Sequence, residues 1–196
     1  MYHEHRIGQT AATILKLLDI TPGRKMEEPH GKVLDIASRE LTGKGSRRVF
    51  FYNPDAIGIW LYRKYQEKFT ELENRIQLRM KVHAVYPPVT PVCFGTMYTG
   101  LSPQEHGIMK YRKPVLQVDT VFDYLVKEKK KAAIISTEGD SISRIFLGRD
   151  IDYFIYPTVE ECNEKALDLI EKDKYDFMVL YNGNYDYMMH RFGPEG

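Results

Sequence analysis

A chain of 196 residues, 43% of them hydrophobic and 28% charged, has the composition of an ordinary globular protein and the length for one domain with a real core. A formal net charge of +1 leaves no global field for a nucleic acid polymer or an anionic membrane, and no apolar run is long enough to span a bilayer. The two cysteines, Cys93 and Cys162, are not spaced as a metal pair, and MYHEHRIGQT has no apolar signal core, so the expected location is cytoplasmic.

Residues 10–18 (TAATILKLL) place Ala11, Ile14, Leu15 and Leu18 on one helical face. Pro22, Gly23, Pro29 and Gly31 then interrupt the pattern. Residues 1–46 therefore read as an N-terminal helical arm, free to dock on the body or on a second copy in a homo-oligomer. Residues 47–196 read as a separate α/β domain.

RRVFFYN (47–53) is a short apolar run expected to form a buried strand. Ile57, Leu61, Tyr65, Phe69, Leu72 and Ile76 recur at helical spacing and predict one long amphipathic helix. MKVHAVY (80–86) predicts a second strand, closed by Pro87-Pro88. A helix follows from Asp119, with Phe122, Leu125 and Val126 on one face. The basic run Lys127–Lys131 suits a solvated helix end. AAIIST (132–137), DYFIYP (152–157) and DFMVLYN (176–182) predict three more strands. Between the last two, Thr158 and Glu161 form a T-x-x-E capping box that opens a helix burying Cys162, Ala166, Leu169 and Ile170. This alternation implies an α/β domain with a mostly parallel sheet.

In such sheets, sites form beyond the carboxyl ends of the strands. The expected strand ends deliver Asp55, Thr90 and the pair Asp186/His190. Two carboxylates, an imidazole and a hydroxyl are the donors that zinc, manganese or a similar divalent ion takes. Each also has a plainer role, as a turn former, a helix cap or a solvated i, i+4 pair. The functional reading rests on their convergence. No P-loop, no G-x-G-x-x-G and no G-x-S-x-G elbow occurs, which argues against a nucleotide cofactor and a serine hydrolase.

The stretch TPVCFGTMYTGLSPQEHGI (90–108) resembles the nucleophile segment of the alkaline phosphatase superfamily, in its type I phosphodiesterase/nucleotide pyrophosphatase branch. DYMMHRFGP (186–194) resembles that branch's D-x-x-x-H-x-x-G-P metal motif, and Asp55 falls where it has an early metal-binding aspartate. The resemblance implies an alkaline-phosphatase-like three-layer α/β/α sandwich. It implies Thr90 as the nucleophile and a two-metal site, with Asp186 and His190 on one ion and Asp55 and Thr90 on the other. Zinc is the expected metal, with manganese as the other candidate. The substrate would be a small phosphorylated molecule, passing through a phosphothreonine intermediate that is then hydrolysed. Cys93 stands where the branch often has a phosphate-binding asparagine, so it is the expected substrate-binding residue. His106 reads as structural, bracing the loop.

The branch supplies further ligands after D-x-x-x-H, an Asp-His pair and a later histidine. No Asp-His dipeptide occurs in this sequence, and the resemblance therefore implies a sequence that stops short of part of the metal shell. Two alternatives to hydrolysis stay open here. One is a non-catalytic binding or assembly protein on the same fold; the other is a phosphomutase-like phosphotransferase.

Overall fold

The computed structural model describes residues 5–41 and 48–193. In chain order the elements are β1 (His5–Arg6), α1 (Gln9–Leu17), α2 (Gly31–Glu40), β2 (Val49–Pro54), α3 (Ile59–Lys64), a 3₁₀ turn (Gln66–Phe69), α4 (Thr70–Glu73), β3 (Val82–His83), α5 (Thr90–Thr99), α6 (Pro103–His106), α7 (Val121–Lys127), β4 (Ala132–Thr137), α8 (Ser141–Ile145), β5 (Asp152–Tyr156), α9 (Val159–Lys172), β6 (Phe177–Asn182) and α10 (Asn184–Phe192). Four strands form a parallel sheet in the order β2-β6-β4-β5. Helices lie on both faces, as a doubly covered parallel sheet requires.

The two central strands are apolar up to their carboxyl ends because both of their faces are buried. In β4, Ala132 and Ile134 face one layer, while Ala133 and Ile135 face the other. In β6, Phe177, Val179 and Tyr181 face the first layer, and Met178 and Leu180 the second. This is the period of two of an extended chain. Helix α9 covers the second layer through Cys162, Ala166 and Leu169, with Tyr175 beside it. Its T-x-x-E box forms as expected: Glu161 N–H donates to Thr158 Oγ1, and Thr158 N–H donates to Glu161 Oε2.

The first layer is larger and strongly aromatic. Tyr98 stacks on Phe122 at 5.4 Å and meets Phe146 edge-on at 5.2 Å. Each such fully buried ring contributes about 1.5–3 kcal/mol from burial. Ala11, Ile14, Leu15 and Leu18 of the amino-terminal segment join this same cluster. Arg24 ties the segment down further, its guanidinium donating to the carbonyls of Thr99 and Asp119. The boundary expected at 46/47 lies outside the described residues.

Two expectations need correction. The predicted long helix over 57–76 is three short pieces, α3, the 3₁₀ turn and α4. Ile57, Leu72 and Ile76 are exposed, so no continuous partner surface holds the helix together. The strand predicted over 80–86 shrinks to Val82–His83, and it pairs with β1 in a separate two-stranded sheet. Thr90 is therefore delivered by the loop after β3 and the start of α5, not by a strand of the central sheet.

Arg149 organises the turn beneath α7. It is nearly buried, and it donates from Nε to Asp123 Oδ2 at 2.9 Å and from Nη2 to the Leu116 carbonyl at 3.1 Å. Burial by itself would raise the Asp123 carboxyl; hydrogen bonds from Thr120 and Arg149 outweigh it and hold the group below the ordinary value. A depressed folded value means stability that is present above the ordinary aspartate range, near pH ~3.9, and lost as pH falls through and below it. Asp123→Asn is expected to be less stable than the parent at pH 7 and to lose less stability on acidification to about pH 3. Thermal unfolding midpoints over that range would show it; parallel curves would refute the role of Asp123.

Candidate active site

Asp55 follows β2 directly. Strands β2 and β6 run side by side, with Asn53 opposite Tyr181 and Pro54 opposite Asn182. One further bond extends the ladder, from Asp55 N–H to the Asn182 carbonyl at 2.9 Å. The backbone of Asp55 is thus clamped to the end of a buried strand. Its side chain is clamped as well: the Tyr181 hydroxyl donates to Asp55 Oδ2 at 2.6 Å. Burial and the adjacent Asp55 carboxylate both push the Tyr181 phenol well above its ordinary range, so its proton stays in place as a donor. The Asn53 amide donates to the Tyr98 hydroxyl at 2.8 Å, linking the strand end to the aromatic core.

Thr90 is the first residue of α5, where the unpaired amide groups and the helix dipole favour an anion. Its hydroxyl donates to Asp55 Oδ2 at 3.0 Å, the same oxygen that accepts from Tyr181. Sequence reasoning placed Asp55 and Thr90 on one ion; the structure brings the two side chains into contact.

The helix behind Thr90 is held by the T-G-x-x-P-x-x-H-G-I residues. Thr99 Oγ1 donates to the Gly95 carbonyl at 2.6 Å and accepts from Leu101 N–H at 3.1 Å. Gly100 and Gly107 both sit at positive φ, +69° and +84°, each ending a helical turn. Ser102 and Glu105 close a capping box between them. His106 is buried against α5 and accepts from Ile108 N–H on Nδ1 at 3.2 Å. That bond puts the ring proton on Nε2, which faces Thr96 Oγ1 at 3.1 Å. Burial lowers the imidazole below its ordinary range, so the ring is neutral at pH 7. His106 is a structural brace, as the sequence suggested.

Asp186 and His190 lie on α10, just past β6, with His190 Nε2 3.6 Å from Asp186 Oδ1. Burial, then the negative charge of Asp55, raises the Asp186 carboxyl above its ordinary range, while His190 opposes the shift. Asp55, Thr90, Asp186 and His190 all line one open cleft of about 950 Å³. Cys93 lines it too, one helical turn beyond Thr90. Burial raises the Cys93 thiol above its ordinary value, and the Asp55 charge adds to this. It is a neutral thiol there, hence a weak donor.

The donor types fit a zinc or manganese ion, but the donors come as two pairs, Asp55 with Thr90 and Asp186 with His190. Among the described residues, no three His, Cys, Asp or Glu side chains converge as a ligand cluster. The four residues expected from the sequence therefore line one cleft as two separate pairs. Two supporting residues escaped sequence reasoning, Tyr181 and Asn53. Their signal was faint: a tyrosine and an asparagine at the polar ends of two apolar runs, indistinguishable from ordinary strand termini.

No helix among the described residues is long and apolar enough to cross a membrane. No curated protein matches the chain. A family model does: residues 54–138 match the type I phosphodiesterase/nucleotide pyrophosphatase family. The matched span contains Asp55, Thr90, Cys93 and the whole Thr90–Ile108 segment, while Asp186 and His190 lie beyond it. That family is a branch of the alkaline phosphatase superfamily, and it is over residues 54–138 that the chain is similar to it.

Proposed function

We propose that this chain carries the nucleophile half of a metal-dependent phosphoester hydrolase, of the phosphodiesterase or nucleotide pyrophosphatase type, with Thr90 as the nucleophile. The observation that carries this reading is the Thr90 hydroxyl at the first residue of α5, donating at 3.0 Å to a carboxylate that Tyr181 and the β2 backbone hold still. Bonded this way, the hydroxyl proton already points at Asp55, and an oxygen lone pair is left for phosphorus. Attack forms the Thr90 Oγ1–P bond and breaks the ester P–O bond, and the alcohol departs on the far side. Asp55 takes the threonine proton, and solvent water protonates the departing alkoxide to the alcohol. Water then hydrolyses the phosphothreonine and restores the hydroxyl.

Asp55 and Thr90, and Asp186 with His190, are the residues that would hold divalent ions. When bound, such ions supply Lewis-acid chemistry, lowering the hydroxyl pKa and neutralising charge on the phosphoryl oxygens. Cys93, a turn along α5, is the neighbour placed to contact a phosphoryl oxygen.

The test is release of nitrophenolate from bis(4-nitrophenyl) phosphate by protein titrated with zinc or manganese. Turnover is expected to rise with metal and to vanish with a chelator. Metal-loaded protein that releases nothing above the metal-only control would refute the reading.

A further inference from the structure

Thr90 stands where two unlike cavities meet. The first is the cleft of about 950 Å³, with the apolar side chains Ile57, Val82, Ala84, Val89, Phe94 and Met97 in its walls. The second, about 490 Å³, opens beyond the carboxyl ends of β4, β5 and β6. Its walls are Lys113, Thr137, Asp140, Thr158, Glu160 and Asn184. Thr90, Tyr111, Tyr181, Asp186 and His190 line both.

A phosphorus atom in contact with Thr90 Oγ1 sits at this junction, and the two ester arms of a diester then run into cavities of different chemistry. The second cavity is not an anion site. Setting aside Asp186, which would hold an ion, Asp140 and Glu160 bring two carboxylates into its wall against one ammonium, that of Lys113. The ammonium is also engaged: it donates to the Gly139 carbonyl at 2.7 Å and lies 5.4 Å from the centre of the Tyr111 ring. A further phosphate placed there would face carboxylates, and like charges at short range disfavour it. An uncharged arm bearing hydroxyl groups would instead find acceptors and threonine hydroxyls around it.

Resting on the phosphodiesterase reading above, the geometry points to a substrate class: an unsymmetrical phosphodiester, with an apolar or aromatic arm in the first cavity and an uncharged hydroxyl-bearing arm in the second. Neither a monoester nor a nucleoside diphosphate uses both cavities in this way.

The experiment is calorimetric binding to the Thr90→Ala chain in zinc buffer with four probes: 4-nitrophenyl glyceryl phosphate, bis(4-nitrophenyl) phosphate, 4-nitrophenyl phosphate and ADP. The glyceryl diester is expected to bind about tenfold more tightly than each of the others. Glu160→Lys is expected to narrow or reverse its advantage over ADP, and Ala84→Trp to weaken the nitrophenyl diesters by about tenfold. Both side chains lie on exposed positions of the cavity walls, so neither change disturbs the core. Equal affinities, tightest binding of ADP, or no binding of any probe would overturn the assignment. Turnover of the same probes by the Thr90 chain separates this from the parent reading. Selective binding without turnover keeps the two-cavity assignment and removes the hydrolase; Thr90-dependent turnover without selectivity does the reverse.

Discussion

Thr90→Ala is expected to abolish phosphodiester hydrolysis by a factor of about 10³ or more, because the attacking atom itself is removed. Thr90→Ser keeps an Oγ at the start of α5 and should retain activity within about 10–100-fold of the parent. The β-methyl that restricts the threonine rotamer is the only loss. Stability separates this from a folding effect. Thr90 is only partly buried and gives up one hydrogen bond, to Asp55, so the alanine variant should unfold within about 1 kcal/mol of the parent. Cys93→Ala lies one turn away and removes only a neutral thiol; a loss under about tenfold is expected there. The measurement is kcat and KM for the three variants beside their urea midpoints. Equal rates for Thr90→Ala and the parent would remove Thr90 from the mechanism.

The second large effect is expected at Gly95, far less conspicuous than Thr90. Alanine in a helix interior ordinarily gains about 0.5–1 kcal/mol over glycine. Here its Cβ would lie 2.5 Å from Cε1 of His106 and 2.7 Å from Nδ1. The ring has nowhere to go, since it is buried and bonded to Ile108 N–H and Thr96 Oγ1. Gly95→Ala should therefore destabilise by about 2–4 kcal/mol, reversing the usual sign. Pairing it with His106→Ala removes the clash. The double variant should be more stable than the sum of the two singles by about 1–3 kcal/mol. Denaturant midpoints for the four proteins complete the cycle; a neutral or stabilising Gly95→Ala would show that the histidine is not packed against α5.

These two residues mark the division between what could be read in advance and what could not. Thr90, Asp55, Asp186 and His190 were legible because their types are chemically informative and because each stands next to an apolar run that predicts an element. The strands β4 and β6 were legible for a related reason: both faces of a central parallel strand are buried, and an apolar run such as AAII or FMVLY has little other use. In contrast, β2 and β5 are edge strands, and Phe50, Tyr52 and Ile155 stay exposed, so the strand expected over 47–53 is only half buried. The capping box at Thr158 was legible because it is local, joins residues three apart and follows from short-range hydrogen bonding alone.

Periodicity misled where no partner surface existed. The spacing from Ile57 to Ile76 is helical, but Ile57, Leu72 and Ile76 stay exposed with nothing continuous to bury against, and the segment breaks into three pieces. MKVHAVY has strand composition, yet the sheet position beside β2 is taken by β6, and only Val82–His83 pairs, with β1.

By itself, then, the sequence determined the element types of the central sheet, the identity of the nucleophile candidate and the donor chemistry around it, because those are properties of single residues and short windows. Only the tertiary structure decided that Tyr181 and Thr90 share one oxygen of Asp55, that His106 forbids a side chain at Gly95, and that Thr90 stands between an apolar and a polar cavity. The contacts behind them join residues from 11 to 126 positions apart. Contacts of that kind arise from strand register and layer packing, which no local window contains.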